Sequence, residues 1–195
     1  KGTWTTASTN TLALYMDPTD AKTLYAGTRS TGLLYTEDAA ASWRQARATE
    51  LQNGSVSSIA VDPKDTCTVY VAKGERLMKS TDCLRSFNTE AYVETRPAVT
   101  VSQVKLDWYN STVIWMTLSN GDLLKSEDSG KTWRSLKAFD VAIGDFLISN
   151  SDSRIILVGL SEGGFWKSVD AGENWTAVDK ATLRSEERRV GKECL

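Results

Sequence analysis

Short apolar runs alternate with polar turns along this chain, and the same order of runs recurs four times. The first run of each repeat alternates apolar and polar positions, which is typical of a β-strand with one buried face. These first runs cover residues 11–17, 55–62, 101–107 and 142–149. A polar turn follows each of them, so every repeat is predicted to begin with a strand that ends in a sharp reversal.

The later runs of each repeat complete a predicted four-stranded unit. A continuously apolar second run aligns without gaps at residues 23–27, 68–72, 113–117 and 155–159. A glycine-containing hairpin then leads to a third run at residues 32–36, 76–80, 122–126 and 164–168, and a short fourth strand follows. No stretch shows helical periodicity, so the pattern predicts an all-β fold of antiparallel strands.

An eight-residue motif, here called the box, follows each third run and spans residues 36–43, 80–87, 126–133 and 168–175. In box three, Asp128 is expected to accept hydrogen bonds from backbone N–H groups one or two residues ahead, while Gly130 supplies a positive φ. Trp133 is large enough to pack over the turn. The residues assigned this structural role are Asp38, Trp43, Asp82, Phe87, Ser126, Asp128, Gly130, Thr132, Trp133, Ser168, Asp170, Gly172 and Trp175.

The spacing of the boxes predicts a β-propeller. Successive box aspartates lie about 40–50 residues apart, the period of propeller blades. Four strands per repeat make one blade, which buries its faces against its neighbours. About four blades are expected, at residues 5–48, 49–93, 94–138 and 139–180, and Trp4 is placed as the closing aromatic of a preceding blade. The chain is therefore predicted to be part of a larger propeller.

The box pattern S-x-D-x-G-x-[TS]-W resembles the Asp-box, or bacterial neuraminidase repeat, and the resemblance covers residues 4–178. Boxes one and two carry Ala40 and Leu84 in place of the glycine. The resemblance implies a propeller similar to the sortilin receptors, photosystem II assembly factors, sialidases or xyloglucanases. It also implies that the boxes are structural and usually lie away from the ligand-binding face.

Composition narrows the possible chemistry. The formal net charge is −2, which does not favour nucleic acid or an anionic membrane surface as a partner. The absence of histidine excludes Ser-His-Asp and Cys-His catalysis within these residues, and three cysteines without a C-x-x-C spacing argue against a zinc site. No metal or cofactor is expected. The sequence has no apolar run long enough to span a bilayer, and no signal peptide begins at Lys1, although one could have preceded it.

Carboxylates and exposed aromatics are the remaining candidates for function. Asp17, Asp62 and Asp107 are assigned to turns, which leaves Asp145 and Glu162 as the less well explained acids. A sialidase-like Arg-Ile-Pro motif is absent. The favoured function is therefore a non-catalytic propeller that acts as a protein-binding or assembly scaffold or as a receptor module, with a protein or glycan as its ligand. The alternative is a fragment of a carbohydrate-active glycoside hydrolase, similar to a sialidase or a xyloglucanase.

Two adjacent aromatics stand in a turn that is small and polar in the first two repeats. Trp108 and Tyr109 could stack on a sugar or anchor a protein partner, or they could pack against a neighbouring blade. Phe165 and Trp166 alternate within the third run of repeat four, and they are assigned to the core.

Cys67 and Cys83 are predicted to form a disulfide. If Lys73 pairs with Arg76 across the turn of repeat two, both cysteines fall at the same end of the hairpin, within one residue of register. A disulfide implies an oxidising compartment, so an extracytoplasmic location is expected. The sequons at Asn53 and Asn110 agree with that location.

The last residues break the repeat pattern. Residues 184–194 resemble a translated sequencing adapter, so residues 184–195 are expected to be a non-native or unstructured tail. A charged C-terminal helix or linker is the alternative.

Overall fold

A computed structural model describes residues 10–87 and 89–178 of the chain, and it contains four antiparallel four-stranded sheets. Each sheet is a simple meander in chain order and corresponds to one predicted blade. Blade one comprises β1 (Thr11–Met16), β2 (Leu24–Thr28), β3 (Leu33–Thr36) and β4 (Arg44–Gln45). Blade two comprises β5 (Val56–Val61), β6 (Val69–Lys73), β7 (Arg76–Ser80) and β8 (Thr89–Val93). Blade three comprises β9 (Val101–Leu106), β10 (Ile114–Leu118), β11 (Asp122–Ser126) and β12 (Arg134–Ala138). Blade four comprises β13 (Ile143–Ile148), β14 (Ile156–Leu160), β15 (Phe165–Ser168) and β16 (Thr176–Val178).

Among the described residues, the only helical element is a 3₁₀ turn at Thr49–Leu51, so the all-β prediction is confirmed. The second strand of each blade begins one residue later than the apolar run that predicted it. Trp4 and the tail at residues 184–195 lie outside the described residues.

The apolar core lies between successive blades. Three clusters of buried side chains join blade one to two, two to three, and three to four. Representative members are Leu33 with Ile59, Leu77 with Val104, and Leu123 with Phe146. Each blade therefore buries both faces only when it has a neighbour on either side, as the repeat predicted.

All four boxes adopt one geometry. In box three, the backbone N–H and the hydroxyl of Thr132 donate to the Asp128 carboxylate at 2.8 and 2.7 Å. The Ser126 hydroxyl donates to Asp128 and accepts from the Gly130 N–H at 2.9 Å. The expectation that Asp128 would bond one or two residues ahead was therefore wrong. The carboxylate reaches four residues ahead because the serine hydroxyl already occupies the inner turn.

The missing glycines in boxes one and two do not change the turn. The fourth and fifth box residues have positive φ in every copy, including Ala40 at 69° and Leu84 at 62°. Gly130 and Gly172 have φ of 86° and 93° at the same position. Left-handed backbone costs a residue with a Cβ atom roughly 1–2 kcal/mol, so boxes one and two store a cost that boxes three and four avoid.

The predicted Cys67–Cys83 disulfide is present, with a Cα–Cα distance of 3.9 Å. The register of β6 and β7 pairs Lys73 with Arg76, as the prediction assumed. The Cys83 N–H also donates to the Cys67 carbonyl at 3.1 Å. The same backbone bond joins the fourth box residue to the end of the first turn in the other blades, through Ala39 to Lys22, Ser129 to Thr112 and Ala171 to Arg154. The disulfide therefore covalently reinforces a contact that every blade makes.

One core assignment was wrong. Trp166 is half-buried and packs against the cluster between blades three and four, but Phe165 is exposed. Alternation along β15 places the two side chains on opposite faces of the sheet, and among the described residues no blade covers the face that carries Phe165.

Candidate functional site

A groove of about 620 Å³ runs along the innermost strands of all four blades. Its walls come from β1, β5, β9 and β13, which are the first strands of their sheets. Leu14, Ser57, Gln103 and Leu147 contribute one side chain from each of these strands. A concave site of this size with apolar and polar walls is typical of a ligand-binding cleft.

Trp108 forms part of one rim of the groove. The turn that carries it is built by Asp107, whose carboxylate accepts from the backbone N–H groups of Tyr109 at 2.7 Å and Asn110 at 3.0 Å. Asp17 and Asp62 make the corresponding bonds in the first two blades, to Thr19 and Lys64. These three aspartates close turns, and Trp108 remains 53% exposed beside the groove.

The two adjacent aromatics of this turn have different environments. The Tyr109 hydroxyl donates to the Asn150 carbonyl of blade four, and the Tyr109 carbonyl accepts from the Lys64 ammonium of blade two. Tyr109 thus links the first turns of three consecutive blades, and it does not line the groove. Of these two aromatics, Trp108 is the one that combines exposure with a place in the groove wall.

Asp145 is the only carboxylate that lines the groove among the described residues. Its Oδ1 lies 2.9 Å from the Lys105 ammonium and accepts from the Phe146 N–H at 2.8 Å. The Lys105 ammonium also lies 4.8 Å from the centre of the Phe146 ring. These contacts join blade three to blade four, so they give Asp145 a structural partner.

Glu162, the other acid considered, is not part of the groove. It lies in the hairpin between β14 and β15 and makes no hydrogen bond or ion pair within the described part of the chain. The two candidate acids are therefore not brought together in one cleft. Across residues 10–87 and 89–178, no three His, Cys, Asp or Glu side chains are grouped as a metal site.

The groove rim at Trp108 lies at the same end of the sheets as the boxes. Strands alternate in direction, so the turn after the first strand and the box after the third strand must share one end. The bond from the Ser129 N–H to the Thr112 carbonyl, 2.9 Å long, links the two in blade three. Trp108 therefore lies at the end of the blade that the Asp-box resemblance places away from a ligand-binding face.

The box aspartates are tightly held by their turns. Hydrogen bonds from the Thr132 hydroxyl and N–H lower the pKa of Asp128 to about 2. The corresponding donors Ser42 and Ser86 lower the pKa of Asp38 and Asp82 to about 2. A carboxylate held ionised in this way is suited to a turn and not to proton transfer near neutral pH.

Sequence reasoning did not find two polar residues of the groove. Gln103 donates from its amide nitrogen to the Gly144 carbonyl at 2.8 Å, and its amide oxygen is buried without a hydrogen-bond partner in the described residues. Lys105 bridges to Asp145, as described above. Both residues occupy polar positions of the alternation in β9, and a comparison with the smaller Ser58 and Ala60 of blade two could have marked them.

No protein-family model matches the chain, and no curated protein sequence matches it either. Several solved structures do resemble it. An ancestral GH74 enzyme matches with a TM-score of 0.73 and 18% identity, over 88% of this chain and 25% of that chain. YCF48 from Cyanidioschyzon merolae matches with a TM-score of 0.65 and 16% identity, over 86% of this chain and 56% of that chain. YCF48 bound to D1 peptide matches with a TM-score of 0.66 and 15% identity, over 88% of this chain and 55% of that chain.

These likenesses define the fold class. The neighbours are β-propellers, and four antiparallel four-stranded sheets in series are the blades of such a fold. The chain spans only about a quarter to a little over half of the length of these structures. The neighbours include both an enzyme and a peptide-bound protein, so the fold by itself does not select an activity.

Proposed function

We propose that this chain is part of a non-catalytic Asp-box propeller that binds a protein or glycan ligand in the groove along its innermost strands. The main support for this proposal is the composition of the groove. Among the described residues, its only carboxylate is Asp145, which forms an ion pair with Lys105. A glycosidase requires two carboxyl groups on opposite sides of a scissile bond, roughly 5–10 Å apart. A groove with one neutralised acid and an exposed tryptophan suits binding better than hydrolysis.

Trp108 is assigned the main ligand contact. An exposed indole beside an apolar wall can stack on a sugar ring or fill a hydrophobic pocket of a protein partner. The structural neighbour bound to D1 peptide shows that a propeller of this shape can hold a peptide.

An extracytoplasmic location is part of the same proposal. The Cys67–Cys83 disulfide supports it, because such bonds persist in oxidising compartments. The sequon residues Asn53 and Asn110 are both exposed. Among the described residues, no helix is long and apolar enough to cross a membrane.

A binding screen of the unaltered chain and a Trp108→Ala variant tests the proposed binding function. The chain would be applied to an array of extended peptides rich in leucine and aromatic residues, and to soluble β-glucan oligosaccharides. Binding to one class is expected, with Trp108→Ala weakening it more than tenfold, as is common for a central aromatic contact. Glu162→Gln, outside the groove, is the matched control and should bind like the unaltered chain.

A hydrolase remains the second candidate because one structural neighbour is a GH74 enzyme. Release of reducing sugar from β-glucan, or turnover of aryl sialosides, would favour it if Asp145→Asn abolished the activity. If neither the unaltered chain nor the Trp108→Ala variant bound any peptide or glycan, the proposed binding function would be contradicted.

A further inference from the structure

A second pocket, of about 150 Å³, lies between blades one and two. It is called the box-side pocket here, because boxes one and two form part of its wall. The wall includes Glu37 of box one, Leu84 and Arg85 of box two, and the tyrosines of β2 and β3, Tyr25 and Tyr35. No residue of this wall lines the groove, so the two cavities are separate. Both of the blades that form the pocket lie within the described residues.

The same place between blades two and three is filled by side chains. Tyr25 pairs with Tyr35 across β2 and β3. The matching pair in blade two is Tyr70 with Lys79, and both side chains donate to the Ser129 carbonyl of blade three, at 3.1 and 3.4 Å. Neither hydroxyl of the blade-one pair makes a hydrogen bond within the described residues. The box-side pocket is therefore the space that these contacts close at the next boundary.

Tyr25 brings an unpartnered polar group to a buried position, since this residue is only 7% exposed. The side-chain atoms that are enclosed without a partner in the described part of the chain belong to Gln103, Trp115 and Thr117. The Tyr25 hydroxyl is not one of them, so it is open to the pocket that its side chain lines. Because polar groups of buried residues are normally hydrogen-bonded, its partner has to come from the contents of the pocket.

Two arginines supply positive charge at the pocket. Arg47 and Arg85 both line it and are exposed. Neither guanidinium has an ion pair or a hydrogen bond within residues 10–87 and 89–178. Glu37, the acid of the wall, is engaged by Arg44 at 3.3 Å. Two guanidinium groups thus remain for a ligand, and their planar set of N–H donors is suited to carboxylate and phosphate oxygens.

The other acids near Tyr25 are engaged in their own turn. Asp17 accepts from the Thr19 N–H at 2.8 Å. Asp20 accepts from the Lys22 N–H at 3.0 Å. Burial, and to a smaller extent the charge of Asp17, raises the pKa of Tyr25 to about 12. The hydroxyl is therefore protonated at neutral pH and can donate a hydrogen bond to a negatively charged ligand.

We propose that the box-side pocket is a second binding site, which takes an oxyanion attached to a single ring, such as an aromatic carboxylate or phosphate ester. An engineered protein cavity of about 150 Å³ holds one benzene molecule, so a pocket of this volume has room for one ring. The ring packs against Tyr35. The anionic group lies at the mouth, where Arg47 and Arg85 bind its oxygens and the Tyr25 hydroxyl donates to one of them.

A titration followed by NMR tests the chemistry of the ligand. The full 195-residue chain would be titrated with benzoate, phenyl phosphate, benzyl alcohol and benzylamine, with the amide signals of Leu84 and Arg85 as reporters. At least one of the two anions is expected to shift these signals to saturation, and the stronger of the two distinguishes a carboxylate from a phosphate ligand. The neutral and the cationic ring compounds should bind at least tenfold more weakly.

Substitutions in the pocket wall test the assigned residues. Arg47→Gln and Arg85→Gln each remove one guanidinium and should weaken binding of the anion more than tenfold. Tyr25→Phe keeps the ring and should weaken binding about tenfold, because it removes a hydrogen bond to a charged group. Arg29→Gln is the matched control, since Arg29 is also exposed but lies in the hairpin between β2 and β3 and lines neither cavity. Circular dichroism would verify that every variant keeps the β fold.

Several results would overturn the proposal. Absence of saturable binding for both anions, or an equal affinity for benzyl alcohol, would exclude an oxyanion site. Binding that is unchanged by Arg47→Gln and Arg85→Gln, or that Arg29→Gln weakens as strongly, would place the anion outside the box-side pocket. Trp108→Ala should leave the affinity for the anion unchanged, so the result is independent of whether the groove binds a ligand.

Discussion

The indole nitrogen of Trp133 donates a hydrogen bond to the carbonyl oxygen of Ala91, 2.7 Å away, across the boundary between blades two and three. The same N–H also lies 3.2 Å from the Gly130 carbonyl of its own box. The glycine itself is pressed against the preceding blade, since a Cβ atom at Gly130 would lie 2.9 Å from the Ala91 Cβ. Box three therefore both closes its own turn and fastens its blade to the one before.

Removing the hydrogen bond from the Trp133 indole to the Ala91 carbonyl should destabilise the protein. Trp133→Phe keeps most of the aromatic packing but removes the donor, and it leaves the Ala91 carbonyl without that partner. A net loss of about 1 kcal/mol in the free energy of unfolding is expected. Urea denaturation followed by circular dichroism measures it.

Trp175→Phe is the matched control for this bond. Among the described residues, the Trp175 indole donates only to Gly172 of its own box, at 2.9 Å. Trp175→Phe should therefore lower the free energy of unfolding by less than Trp133→Phe does. Equal effects of the two substitutions would show that the bond between the blades adds nothing.

Glycine substitutions in boxes one and two should change the stability of the protein in opposite directions. Ala40→Gly relieves a positive φ at an exposed position and is expected to stabilise the chain by up to about 1 kcal/mol. Leu84→Gly relieves a similar φ but deletes a buried side chain from the cluster between blades one and two. Deletion of a buried leucine costs about 2–5 kcal/mol, so a net loss is expected.

Thermal unfolding of the two variants compares them directly. A Leu84→Gly chain that is more stable than the unaltered protein would contradict the assignment of Leu84 to the core. A destabilised Ala40→Gly chain would show that the positive φ carries no cost in box one.

The box carboxylates should make stability depend on acid pH. The folded-state pKa of Asp128 is lowered from 3.8 to about 2, first by the Thr132 hydroxyl, so the ionised form stabilises the fold. That contribution is fully present above about pH 4 and is lost as the pH falls from about 4 to about 2. Asp38, Asp82 and Asp170 add contributions of the same sign.

Urea midpoints between pH 2 and pH 7 test this dependence. Asp128→Asn should be less stable at pH 7 and should lose part of the decline between pH 4 and pH 2. Glu162→Asn, which removes an unpartnered acid, should leave the decline unchanged. A slope in Asp128→Asn identical to that of the unaltered chain would contradict the role of this carboxylate.

Reduction of the Cys67–Cys83 bond should weaken the fold without abolishing it. Closing a loop of 16 residues contributes about 3 kcal/mol by constraining the unfolded chain. The backbone bond between the two cysteines persists after reduction, as its counterparts do in the three blades without a disulfide. The melting temperature should therefore fall on addition of reductant, and the β-sheet signal at 20 °C should remain.

Thiol counting and a double variant complete that test. Non-reducing mass analysis after alkylation should find Cys67 and Cys83 unmodified in the untreated chain. In the Cys67→Ala, Cys83→Ala chain, reductant should have no further effect on the melting temperature. Three modified cysteines in the untreated protein would contradict the disulfide.

Local chemistry made most of the fold predictable from the sequence. Period-two alternation located the first strands, and the box residues Ser126, Asp128 and Gly130 sit in a turn closed by bonds within eight residues. The pairing of Lys73 with Arg76 followed from the length of one hairpin, and it placed Cys67 beside Cys83. The box residues were enough to locate a turn, but not to specify its bonds, since Asp128 accepts from Thr132 four residues ahead and not from the next one or two residues.

Contacts between blades were decided only by the tertiary structure. Alternation placed Phe165 in a strand but could not reveal that no described blade covers its face. Nothing in the spacing of Trp108 and Tyr109 indicated that one lines the groove while the other bonds to Asn150 in the next blade. Asp145 stood unexplained until Lys105 of blade three was found 2.9 Å away. These contacts join residues about 40 positions apart, and their distances depend on how whole sheets pack, which no local pattern specifies.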